Sequence, residues 1–153
     1  MNNNDVLRSL RYLLDISDAQ VADICRLAGY ELAADAVEPL LKKDDEEGQQ
    51  PCSDEVLAHF LDGLVFHKRG KDDSRPAQPV AKRLTNNIIL KKLRVAFELR
   101  DEDMHEILRA ADLPMTKAEL SALFRSPEHK NYRVCGDQLL RNFLRGLTQR
   151  QRG

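Results

Sequence analysis

The sequence predicts an all-α protein: two tandem homologous four-helix repeats packed together with pseudo-twofold symmetry. Three observations carry this. Leu, Ala, Glu, Arg and Asp dominate a chain with 5% aromatic residues and no Trp, and strands would instead want β-branched and aromatic residues. Apolar residues recur at i, i+3, i+4 and i+7, and no segment sustains period-2 alternation. Sliding the chain by 83 residues aligns 3–70 with 86–153 without a gap, and 19 of the 68 pairs are identical, several-fold above chance for such a composition. A unit of 68 residues hides only about 60% of its unfolded surface, so the copies are expected to share a core.

The first helix of each copy follows from Val6, Leu7, Leu10, Leu13 and Leu14, matched by Ile89, Leu90, Leu93, Ala96 and Phe97. Asn4 and Asn87 stand where an N-cap belongs. The second helix rests on Val21, Ile24, Cys25 and Ala28, matched by Met104, Ile107, Leu108 and Ala111, with Asp18 and Asp101 as expected N-caps. Val37, Leu40 and Leu41, matched by Leu120, Leu123 and Phe124, define the third. There Thr116 and Glu119 form a capping box, whereas the first copy carries Pro39 and is expected to have a shorter or kinked helix. The fourth helix rests on Val56, Leu57, Phe60, Leu61 and Leu64, matched by Leu139, Leu140, Phe143, Leu144 and Leu147. Gly63 and Gly146 fall inside it, where glycine costs roughly 1 kcal/mol against alanine. Its presence in both copies predicts close approach of another helix.

Domain boundaries follow: a first repeat over 1–70, a linker over 71–85 and a second repeat over 86–153. The linker carries Asp72, Asp73, Pro76, Pro79, Lys82 and Arg83, a composition that prefers water to a core.

A chain with Asn86-Asn87-x-x-Leu90-Lys91-Lys92-Leu93-Arg94 resembles the bacterial YehS-like family of small uncharacterised proteins. The run Lys43-Asp44-Asp45-Glu46-Glu47-Gly48, the run Lys68-Arg69-Gly70-Lys71-Asp72, and His129-Lys130-Asn131-x-Arg133-x-Cys135-Gly136-Asp137 carry the same resemblance. It covers essentially the whole chain. It implies duplication and a bacterial, cytosolic setting, and it brings no activity, cofactor or site residue with it.

A formal charge of −1 hides an asymmetry. Residues 1–70 hold 7 Lys+Arg and 14 Asp+Glu, a net −7, whereas 86–153 hold 13 and 9, a net +4. The contrast is sharpest between helices three and four. The first copy reads Lys42-Lys43-Asp44-Asp45-Glu46-Glu47-Gly48-Gln49-Gln50-Pro51; the second reads Arg125-Ser126-Pro127-Glu128-His129-Lys130-Asn131-Tyr132-Arg133-Val134. Two solvated loops that drifted apart would look like this. So would complementary surfaces for a protein partner or a homo-oligomer. Alternatively, Arg125, His129, Lys130 and Arg133, with Tyr132 to stack, suit an anion or nucleic acid, although the acidic first copy would repel a long polyanion. Arg11 and Arg94 recur at the edge of the first helix's apolar face. They read either as stems covering the core with their heads paired to carboxylates, or as a duplicated contact for an anion or partner.

Other chemistry is thinly supported. Residues 18–41 resemble a helix-turn-helix only if Gly29 marks the turn, and the equivalent residue in copy two is Asp112. Cys52 and Cys135 precede the fourth helix without a matched histidine, since His59 aligns with Asn142, so packing explains them better than zinc. No catalytic signature, glycine-rich phosphate loop or metal motif is present. The expectation is therefore a non-enzymatic cytoplasmic interaction module without cofactor or metal, outside the membrane. Nucleic-acid regulation through the basic repeat is the alternative.

Overall fold

The structure, a computed structural model, describes residues 1–71 and 79–153. Among these the regular structure is eight helices and no strand, which makes the protein all-α. The chain divides into two units, Met1–Leu84 and Thr85–Gly153. Seven residues of the expected linker, 72–78, lie outside the described residues. Its end belongs to the first unit, because Leu84 donates its backbone N–H to Asp54 Oδ2 at 3.1 Å.

The first unit holds α1 (Asn3–Leu14), α2 (Asp18–Leu27), α3 (Ala34–Leu41) and α4 (Asp54–Arg69). α2 packs along α4, and α3 lies against α1 and α2. The second unit repeats this order with α5 (Asn86–Ala96), α6 (Asp101–Ala110), α7 (Lys117–Leu123) and α8 (Asp137–Arg152), and α6 packs along α8. Each core is the apolar face read from the sequence. Phe60, Leu57 and Leu64 in one unit, and Phe143, Leu140 and Leu147 in the other, are fully buried.

The glycines explain how α2 and α4 come so close. A Cβ built on Gly63 would stand 1.9 Å from the Ile24 carbonyl oxygen, and one on Gly146 would stand 2.4 Å from that of Ile107. Real Cβ atoms do not tolerate such distances, so each glycine is the seat of a helix crossing.

Several local expectations are corrected. Asn2 and Thr85, not Asn4 and Asn87, cap the first helices, accepting from the N–H groups of Asp5 and Ile88. Asn4 and Asn87 lie two residues further in, within the first turn, and are buried. Ser17 and Arg100 occupy the N-cap positions of α2 and α6, so Asp18 and Asp101 become the first helical residues. The Thr116–Glu119 capping box is present. Pro39 does not shorten its helix: α3 spans 8 residues and α7 spans 7. Proline removes a single N–H donor, and burial of Val37 and Leu40 in the core holds the turn.

Both units end their first two helices alike. The N–H of Ile16 reaches Arg11 O and that of Asp15 reaches Tyr12 O, a Schellman pattern repeated at Leu99 and Glu98. The left-handed residue after α2 is Gly29, at φ 91°; after α6 it is Asp112, at φ 62°.

Candidate functional site: two loops on one frame

The opposed loops stand on the same scaffold, and buried asparagines build it. Asn4 Nδ2 donates to Leu40 O at 2.9 Å and Gln50 O at 2.7 Å, while its Oδ1 accepts from the Cys52 N–H at 3.0 Å. Asn87 repeats the set with Leu123 O at 2.9 Å, Arg133 O at 2.8 Å and Cys135 N–H at 2.9 Å. One amide thus ties the end of the third helix to both sides of the loop's exit. Its neighbour completes the clamp. Asn3 Nδ2 donates to Cys52 O and Asp54 Oδ1, and Asn86 Nδ2 donates to Cys135 O and Asp137 Oδ1. The recurrence of Asn-Asn and Cys-x-Asp in both copies is thereby explained as one hydrogen-bonded joint.

Within the loops the backbone takes matching turns. Glu46 N–H reaches Lys43 O and Gln49 N–H reaches Glu46 O; at the equivalent places His129 reaches Ser126 and Tyr132 reaches His129. Each exit is pinned to the third helix, by Gln50 N–H on Pro39 O and by Arg133 N–H on Ala122 O. The loops differ at Gly48, which is left-handed at φ 86°, whereas Asn131 is not. Different charges are therefore displayed from the same anchor points.

On the acidic loop, Asp44 accepts from Asn2 Nδ2 and Gln49 Nε2, and Glu46 accepts from the Lys43 N–H. Lys42 Nζ donates to Glu47 O at 2.8 Å and lies 3.9 Å from Glu38 Oε1. On the basic loop, Asn131 donates its N–H to His129 Nδ1 at 3.0 Å, and the Arg125 guanidinium stands 3.1 Å from His129 Nε2. Arg133 pairs with Glu119 at 3.2 Å. The Glu119 carboxyl is held below its ordinary range first by the Thr116 N–H and hydroxyl, then by Arg133. Lys130 is exposed and Tyr132 half-buried, while Val134 is 71% exposed just before the Cys135 joint.

Arg11 and Arg94 sit elsewhere, on α1 and α5. Arg11 Nε donates to Asp18 Oδ1 at 3.2 Å. Arg94 bonds Asp101 and Leu99 O, and its guanidinium lies 4.8 Å from the centre of the Phe124 ring. Each bridges the first helix to the start of the second, so each head has a partner within its own repeat.

The three cysteines are buried. Burial pushes the Cys25 and Cys135 thiols up to about 11 and Cys52 up to about 12, which keeps all three protonated and poor nucleophiles at neutral pH. The connections between α2 and α3 (28–33) and between α6 and α7 (111–116) are each six residues, longer than the three- to four-residue turn of a DNA-reading helix pair. Among the described residues no helix is long and apolar enough to cross a membrane.

A duplicated joint of this kind identifies the repeat. Residues 3–70 and again 86–153 match the family described as "Protein of unknown function (DUF1456)". The chain belongs to this family. It is 48% identical over 151 residues to the uncharacterized protein YehS of Escherichia coli (strain K12), covering 99% of this chain and 97% of that one. No solved structure matches it. In each DUF1456 repeat the Asn-Asn pair, the loop and the Cys-x-Asp turn form one structural unit.

Sequence reasoning passed over two sets of residues here. The buried asparagines were assigned to helix caps, although their identity in both copies together with Cys52/Cys135 and Asp54/Asp137 was the available signal. The second set is on α8, where residues 138–153 contain four arginines and no Asp or Glu. Residues 138–153 therefore carry +4, and α8 as a whole, with Asp137 at its start, carries +3.

Proposed function

We propose that this chain is a non-enzymatic cytoplasmic interaction module, with repeats over 1–70 and 86–153 joined by 71–85, that binds a protein partner or a second copy of itself. The observation that carries this reading is the shared frame with opposed charge. Maintaining a buried three-bond clamp beneath each loop pre-organises what the loop displays, and pre-organised surface lowers the ordering cost of association. The displayed residues, Asp45 and Glu47 on one side and Arg125, His129 and Lys130 on the other, would then select a partner by charge. Arg11 and Arg94 belong to this reading as supports of the joint between the first and second helices.

A second reading is a nucleic-acid-associated regulator using the basic repeat. It is supported by the exposed Lys130 beside Arg125 and by the four arginines of α8, which follow its single carboxylate, Asp137. One low-salt capture with the full chain, identifying both protein and nucleic acid, separates the two. A stoichiometric protein partner, or a second copy, lost on Lys130→Glu and on Glu47→Lys supports the module. Capture of nucleic acid alone, salt-sensitive and lost on Lys130→Glu with Arg133→Glu, replaces it with the regulator.

A further inference from the structure

Among the exposed residues of α8, Arg141 and Arg145 share one face, and the helix's single carboxylate, Asp137, stands one turn before Arg141. α8 exposes Gln138, Arg141, Arg145 and Gln149. Positions 141 and 145 are four apart and therefore neighbours on the helix surface. Arg141 donates to Gln138 Oε1 at 3.2 Å and Arg145 to Ala111 O at 2.8 Å, both neutral acceptors. Among the described residues neither is within salt-bridge distance of a carboxylate, Asp137 acting on Arg141 only through its longer-range field, whereas Arg150 on the adjoining side is held by Asp103 and Glu106. The equivalent positions of the first repeat are Ala58 and Asp62, so this basic face is a property of the second repeat alone.

The first repeat carries the opposite surface in one continuous piece. Asp35 and Glu38 lie on the exposed side of α3, and Lys42 links Glu38 to the backbone of Glu47 in the loop that follows. Asp35, Asp45 and Glu47 are exposed and in no ion pair among the described residues. Six carboxylates between Asp35 and Glu47 against Lys42 and Lys43 leave this patch strongly negative.

Resting on the module reading, we propose that the Arg141–Arg145 face of α8 docks the α3-and-loop acidic patch of a second copy, giving a salt-sensitive homodimer. Charge complementarity selects a second copy over a nucleic acid. A long polyanion meeting α8 would also meet a tethered repeat of net −7, while a second copy brings −7 to each +4 and answers both. In a twofold dimer the same acid–base contact is made twice. Each contact joins groups that are exposed in the single chain, so it weakens as salt rises.

The experiment is sedimentation equilibrium of the full chain between about 50 mM and 0.5 M salt. The expected result is a dimer at low salt and a shift toward monomer at high salt. Arg141→Glu, whose neighbours are the exposed Gln138 and Asp137, should weaken the dimer about tenfold or more, and Arg141→Glu with Arg145→Glu should abolish it. Asp45→Lys with Glu47→Lys should do the same. Mixing the two double variants, each monomeric alone, should restore a 1:1 heterodimer, because one contact is native and the other is reversed in sign. A concentration-independent monomer at low salt overturns the dimer, and so does a dimer indifferent to Arg141→Glu. If that monomer still captures a protein partner through Lys130, the dimer falls and the module reading stands. If it captures only nucleic acid, both fall.

Discussion

Asn4 Oδ1 accepts the backbone N–H of Cys52 at 3.0 Å, and Asn87 holds Cys135 in the same way at 2.9 Å. Each amide also donates to two backbone carbonyls, so its orientation is set by the network: the NH2 must face the carbonyls and the oxygen must face the N–H.

Removing that amide strands three backbone groups. Asn4→Ala and Asn87→Ala should each destabilise their repeat by about 2–4 kcal/mol, since buried unsatisfied groups cost about 1–3 kcal/mol each and water recovers part of the loss. Asn4→Asp is nearly isosteric but aims a carboxylate at the carbonyls of Leu40 and Gln50, so it should cost at least as much. Guanidinium unfolding followed by helical circular dichroism reads this directly. Variants within a few tenths of a kcal/mol of the parent would show that the clamp carries no stability.

Gly63→Ala and Gly146→Ala should reverse the usual helix rule. Alanine gains roughly 1 kcal/mol of propensity, but its Cβ would collide with the backbone oxygen of Ile24 or Ile107, and backbone cannot swing aside as a side chain can. Net destabilisation above about 2 kcal/mol is expected, with Gly63→Ala the worse because its approach is closer. Equal or higher unfolding midpoints for both variants would contradict the crossing.

Asp112→Gly should stabilise the protein. Asp112 is exposed and left-handed at φ 62°, in the place where the first repeat uses Gly29. Relief of the Cβ–carbonyl crowding in that conformation is worth about 0.5–1 kcal/mol. The converse Gly29→Asp should lose a similar amount, and the two measured together check the sign.

Stability should fall in acid through the joint itself. The Asp54 carboxyl is held below its ordinary range first by the Asn3 amide and then by the Leu84 N–H. A folded-state value below the unfolded one means that the unfolded chain binds more protons as pH falls. The contribution is therefore complete above the unfolded carboxyl value of about 4 and is lost as pH drops through the folded one. Asn3→Ala should flatten this acid limb between about pH 5 and 2. At the alkaline end the sign is reversed. Buried thiols raised to about 11 and 12 keep their protons while the unfolded chain loses them above about 8.5, so stability falls as pH rises from there.

The periodic apolar positions were readable because a helix of 3.6 residues per turn writes its buried face into the sequence. Duplication doubled that signal: an apolar residue present in one copy and matched in the other marks a core position, as with Ile24 and Ile107. The asparagines were misplaced for a physical reason. A side-chain amide near a helix start looks the same in sequence whether it caps its own helix or reaches a loop about 46 residues away, and only the path of that loop distinguishes them. The shortening expected from Pro39 fails on similar grounds, because propensity counts the lost donor and cannot count the packing that offsets it.

By itself the sequence determined the helical class, the duplication, the buried apolar positions of each repeat and the acidic–basic division, all of which follow from local periodicity and from comparing the chain with itself. Only the tertiary structure decided that the opposed loops hang from identical clamps, that the glycines seat helices against one another, and that Arg141 and Arg145 of α8 lie on an exposed face. Those relationships join residues about 30–50 apart in the chain. Such contacts arise when packing brings surfaces together, and no local pattern encodes which surfaces will meet.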